Sequence, residues 1–197
     1  MIERLIPQRN SELIRDRIGQ ILVLEFTNQL EKYYSTDCDL TVYVERRKQI
    51  SESELGFVNV SLIKADSSNK HQGSKDDTCQ YAIDVIIKGK STDLLEGDSE
   101  AQVKMQRVCG IIDYILEDPI YKTLSFNPPF LSQTYVSNKT YFEQDPEQTS
   151  NIAMGRILFN VRVNESNSLL TGTLAAEVFS GIKISNTELG FKVDWQA

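Results

Sequence analysis

The apolar residues of this 197-residue chain change period along its length, and this change is the strongest constraint on its fold. Between Ser11 and Leu30 they recur at steps of three and four, which predicts an amphipathic helix capped by Asn10 or Ser11. Gly19 lies inside this helix, where a glycine costs about 1 kcal/mol relative to alanine. We therefore expect Gly19 to mark a close approach to a neighbouring element.

A second stretch of helical period runs from Ala101 to Leu116. Ser99 and Gln102 have the spacing of a capping box at its start, and Pro119 disfavours helical geometry at Asp118 and so ends it. The apolar positions form one continuous stripe of Ala101, Met105, Val108, Ile112 and Ile115. Further apolar residues beside the stripe predict cover on a second side of the helix, by the same chain or by another: Val103, Cys109, Ile111 and Leu116.

Elsewhere the apolar residues alternate with a period of two, which is typical of half-buried strands. The predicted strands are Leu40–Glu45, Gly56–Lys64, Gln80–Lys88, a short one at Thr134–Val136, Met154–Val163, and the two C-terminal segments "VFSGIKIS" and "ELGFKVDW". Between the second and third strands, Ala65–Thr78 is polar throughout and predicts an exposed, mobile hairpin loop that serves a partner.

This order of elements predicts an α+β fold, in which two principal helices pack on a mainly antiparallel sheet. We expect a single domain over residues 1–197, with a strand-rich C-terminal extension over about 165–197. Three widely spaced cysteines form no disulfide framework, and no segment resembles a signal peptide or a membrane span, so we expect a cytoplasmic origin.

The residues predict no catalytic site, no metal site and no cofactor. The one histidine, His71, lies in the predicted polar loop, where it is a poor general base. His71, Asp76, Asp77 and Cys79 are close in sequence, but they lack the paired spacing of a zinc site. The net charge of −7 argues against binding to nucleic acid, because contacts with phosphates require many Lys and Arg residues. The basic triplet Arg46-Arg47-Lys48 is typical of a solvated strand end.

A leading helix, "SELIRDRIGQILVLEF", is followed by strands and then by a second helical segment, "VCGIIDYILEDPIYKTL". In this arrangement the chain resembles the tail terminator and tail completion proteins of tailed bacteriophages. The resemblance covers Ser11–Val163 as a pattern of elements, and Ile111–Leu124 in residue types. It implies a structural virion protein, assembled in the host cytoplasm, that forms a hexameric ring on the tail tube and joins it to the head. It implies no catalytic residue.

The partners implied by the resemblance are copies of the chain itself, the tail tube protein, a head-tail connector or neck protein, and the sheath protein where there is one. DNA would pass through the ring without specific binding, helped by an acidic lining. A ring also requires contact surfaces on each subunit. The residues expected to form such oligomer or partner contacts are Arg46, Arg47, Lys70, His71, Lys75, Phe191 and Trp195.

Two other classes of function remain open at this point. A metal-dependent hydrolase or nuclease would use some of the 28 acidic residues, which sequence spacing alone cannot single out. A soluble adaptor module would bind a helix or strand of a partner, and the Ala65–Thr78 segment would form the binding site.

Overall fold

A computed structural model describes residues 8–47, 54–71, 74–89, 97–127, 130–142 and 151–164. It confirms the α+β fold, with two helices and a five-stranded sheet in this part of the chain. The elements are α1 (Asn10–Tyr33), β1 (Thr41–Val44), β2 (Gly56–His71), β3 (Ser74–Lys88), α2 (Gly97–Glu117), β4 (Leu131–Phe142) and β5 (Ile152–Asn164). The two C-terminal strand predictions and the extension over about 165–197 lie outside the described residues.

The strands follow the order β1-β2-β3-β5-β4 across the sheet. β1 pairs with β2 in parallel, and the other three pairings are antiparallel, so the prediction of a mainly antiparallel sheet is confirmed. Both helices pack on one face, α1 over β1 and β2 and α2 over β3, β5 and β4. The core lies between the helices and this face. The opposite face, here called the open face, has neither of the two described helices on it.

The stripe of α1 is buried as its period predicts, with Ile14, Ile18 and Leu22 fully enclosed. The predicted cap is wrong, because the helix starts at Asn10 and its cap residue is Arg9 in an extended conformation. The Arg9 N–H donates to the Glu12 carboxylate at 3.0 Å. Since a glutamate at the third helical position reaches back in this way, the helix needs no Asn or Ser at its cap.

Gly19 marks a close approach between α1 and the sheet, as its position predicts. A Cβ built on Gly19 would lie 2.9 Å from the Cγ2 atom of Val44 at the end of β1. The absence of a side chain at Gly19 therefore lets α1 lie directly on the edge of the sheet.

The stripe of α2 is also buried, with Ala101, Met105, Val108 and Ile112 at 0% exposure. The predicted capping box is wrong, because the helix begins at Gly97 and Ser99 lies inside its first turn. The predicted end is confirmed. Asp118 takes an extended conformation before Pro119, and its side chain accepts a hydrogen bond from the Ile120 N–H.

The prediction of a loop over Ala65–Thr78 is wrong, because every described residue of this segment lies in a strand. β2 continues to His71 and β3 starts at Ser74, so the two strands form one long hairpin. Backbone ladder hydrogen bonds hold such a ribbon together whatever its side chains are, which explains why an apolar pattern fails to reveal it. The predicted exposure holds at Ala65, Asp66 and Ser67. β4 is likewise much longer than the predicted strand at Thr134–Val136.

Candidate interaction surfaces

Arg46, one of the predicted contact residues, lies in a cluster within the subunit. Its two terminal nitrogens each donate to the Glu54 carboxylate at 2.7 Å, and this pairing raises the pKa of the guanidinium. The guanidinium carbon lies 4.3 Å from the centre of the Tyr43 ring and 4.2 Å from that of Phe57. The Arg46 N–H also donates to Asn59 at 2.8 Å. This arrangement ties the chain after β1 to β2, which gives Arg46 a structural role.

The other predicted contact residues fall into separate places. Lys70, His71 and Lys75 belong to the last residues of the β2–β3 hairpin, where the backbone register pairs His71 with Ser74 and Lys75 with Asn69. Arg47 is exposed beside Arg46. A strand rises about 3.3 Å per residue, so the end of the hairpin at His71 is about 40 Å along β2 from Asn59, which contacts Arg46. Phe191 and Trp195 lie outside the described residues.

The cysteines and acidic residues of the described part have structural surroundings. No three of its His, Cys, Asp and Glu residues lie close enough together to hold a metal ion. Burial raises the pKa of Cys109 to about 12, which keeps the thiol protonated and unreactive. At the end of α2, Asp113 binds the Lys139 ammonium of β4 at 2.5 Å.

The open face of the sheet carries a polar row across its strands. The register places Asn59, Asp84, Arg156 and Thr140 side by side on β2, β3, β5 and β4. Asp84 is 7% exposed, and Arg156 holds both of its oxygens, at 2.6 Å and 3.0 Å. A charged pair with this two-bond geometry fixes the register of β3 against β5.

The β1 edge of the sheet borders a cleft with a mixed polar and apolar lining. Among the described residues β1 pairs only with β2, which leaves its outer edge open. Beside this edge, on the helix side, lies a cleft of about 220 Å³ between α1 and β1. Three apolar side chains of the second half of α1 and of its C-cap are exposed: Leu24, Tyr33 and Tyr34. The apolar lining of the cleft is Val23, Phe26, Leu30, Leu40 and Val42.

The opposite edge is β4, which pairs only with β5 among the described residues. It is 12 residues long and exposes three aromatic side chains: Tyr135 at 45%, Tyr141 at 43% and Phe142 at 38%. An exposed edge strand presents unpaired N–H and C=O groups on which another strand can pair. Sequence reasoning missed this surface, although the aromatic residues of "QTYVSNKTYF" are a signal that points to it.

Comparison of the chain with models of known protein families and with curated proteins gave no match. Within the part of the chain that the structure describes, no helix is long and apolar enough to cross a membrane.

Proposed function

We propose that the chain is a structural ring protein of a phage tail, which caps the tail tube and joins it to the head connector or neck. The observation that carries the proposal is that the five-stranded sheet has two unlike edges, β1 and β4, each open among the described residues. The resemblance of Ser11–Val163 to tail terminators supports it independently.

Unlike edges suit a ring because a head-to-tail contact joins two different surfaces of the same chain. Repetition of such a contact closes a ring when the rotation per subunit divides a full turn. In this protein the two edges lie at opposite ends of the sheet. Aromatic side chains are exposed at the end of α1, the helix that packs on β1, and on β4: Tyr33 and Tyr34, and Tyr135, Tyr141 and Phe142. Tyrosines are enriched at protein interfaces, where an apolar ring and a polar hydroxyl are both used.

Charge distinguishes the two sides that such a ring would present. The described side chains of the open face include four cations and two carboxylates: Lys64, Lys88, Arg156 and Arg162 with Asp66 and Asp84. The two helices contain eight Asp and Glu residues and five Lys and Arg residues. If an acidic lining helps DNA to slide, the helix layer is therefore the side that faces the channel.

Co-expression of the full chain with the products of the genes beside its own, followed by negative-stain microscopy, tests the proposal. The expected result is rings of tube diameter, either free or at the ends of tubes. A chain that stays monomeric in solution and is absent from every co-expressed particle would contradict the proposal.

A further inference from the structure

We infer that Tyr141 of β4 inserts into the cleft beside β1 of the next copy, so that these two features form the contact between subunits. The inference rests on the proposed ring and specifies its interface. The cleft is an acceptor, the tyrosine is the side chain that fills it, and the occupant is a second copy of the same chain.

The size and lining of the cleft suit an aromatic ring. A cavity of about 150 Å³ lined by apolar side chains is large enough to bind benzene. The cleft beside β1 has a volume of about 220 Å³, and Phe26, Leu30 and Val42 give it apolar walls. Thr27 and Asp39 contribute polar groups to its lining, and these can meet a tyrosine hydroxyl.

The register selects Tyr141 among the aromatic residues of β4. Tyr141 lies opposite Gly155, whose missing side chain faces Met105 and Cys109 of α2, so Tyr141 points to the helix side of the sheet. The cleft opens on the helix side of β1 because α1 forms one of its walls. When a second copy continues the sheet, the side chain of Tyr141 and the cleft lie on the same side.

Tyr135 has nearly the same exposure as Tyr141 but points the other way. It lies opposite Asn160, which is on the open face and accepts a hydrogen bond from Gln80 at 3.0 Å. A contact that continues the sheet therefore directs Tyr135 away from the cleft. The chain thus provides a matched control on the same strand.

The direction of the strands suits a second copy as the occupant. β4 runs antiparallel to β1, because β1 is parallel to β2 and the other three pairings of the sheet are antiparallel. A copy that continues the sheet with its helices on the same side therefore brings its β1 against β4 as an antiparallel pair, which is slightly more stable per residue than a parallel one.

The test compares Tyr141→Ala with Tyr135→Ala in the full chain. We expect Tyr141→Ala to raise the dissociation constant of self-association at least about tenfold, because truncation of a central aromatic anchor costs most at an interface. Tyr135→Ala should change it less than about threefold. Mass photometry over a concentration series measures both values, and circular dichroism shows whether each variant folds.

Thiol cross-linking gives a second readout that does not depend on loss of binding. The variant pair Thr27→Cys with Tyr141→Cys should form cross-linked multimers with a short bismaleimide, whereas Thr27→Cys with Tyr135→Cys should not. Because Cys38 lines the cleft, both pairs are made in a Cys38→Ser background, and the other two native cysteines, Cys79 and Cys109, are buried. Rings in which both pairs or neither pair cross-link would overturn this interface and leave the ring proposal standing. Absence of any assembly by the unmodified chain would overturn both.

Discussion

Gly155→Ala should destabilise the protein, because α2 lies directly on β5 at this residue. A Cβ added to Gly155 would lie 2.6 Å from the Sδ atom of Met105 and 2.8 Å from the Sγ atom of Cys109. Both sulfur atoms belong to buried residues of α2, so the new methyl group has no free space to enter. Either the two side chains move or the helix shifts away from the sheet.

The expected loss follows from two opposing contributions. Overpacking a close-packed core costs typically about 1–3 kcal/mol. Replacing a strand glycine by alanine returns about 0.5–1 kcal/mol, because the unfolded chain loses conformational freedom. The methionine is flexible and absorbs part of the strain. We therefore expect the free energy of unfolding to fall by about 1–2 kcal/mol.

Urea unfolding followed by circular dichroism measures this difference, with Cys109→Ala and the double variant completing a thermodynamic cycle. Removing the Cys109 sulfur opens space for the new methyl group, so the double variant should be more stable than the sum of the single effects by about 1 kcal/mol. A neutral or stabilising Gly155→Ala, or strict additivity in the cycle, would refute the close packing of α2 on β5.

Three further changes test other parts of the structure. Gly110→Ala should raise the free energy of unfolding by about 0.5–1 kcal/mol, because this exposed helical position has nothing within 4 Å of an added Cβ. Urea unfolding measures the change, and a lower free energy of unfolding would contradict the placement of α2. Arg46→Lys should lower the melting temperature by a few degrees, equivalent to about 1 kcal/mol, since lysine cannot reproduce the two-oxygen contact with Glu54; an unchanged melting temperature would argue against the cluster. Because the pKa of Cys109 is raised from about 9 to about 12, unfolding should release a proton from this thiol between about pH 9 and pH 12. The free energy of unfolding should therefore fall with rising pH in this window more steeply than it does in Cys109→Ala. Parallel pH profiles of the two proteins would contradict this.

The elements that periodicity reveals are those with one side buried along their whole length. The stripe of α2 and the alternation of β5 are of this kind, and both could be predicted from the sequence. The outer part of the β2–β3 hairpin could not, because β2 beyond Leu62 is held by backbone pairing and its side chains at Lys64, Asp66 and Ser67 are polar and exposed. The full length of β4 could not be predicted either, because an edge strand with many exposed residues lacks a strict apolar alternation.

The candidate surfaces depend on distances that sequence spacing does not contain. The cleft beside β1 brings Val23 of α1 next to Val42, which requires the packing of the helix on the strand. The choice of Tyr141 over Tyr135 requires the register of β4 on β5, which two irregularities in the pairing shift. Arg46 shows the opposite case, because its charge suggested a partner while its contacts with Glu54 lie within the subunit.

The mass and symmetry of the assembly that the full chain forms test the account most directly. Native mass spectrometry together with class averages from electron microscopy, on particles co-expressed with the neighbouring gene products, measures both. We expect a single closed species with rotational symmetry, six-fold by resemblance, in which every subunit uses two different surfaces. A two-fold dimer built on one self-complementary surface, or a chain that never associates, would contradict it.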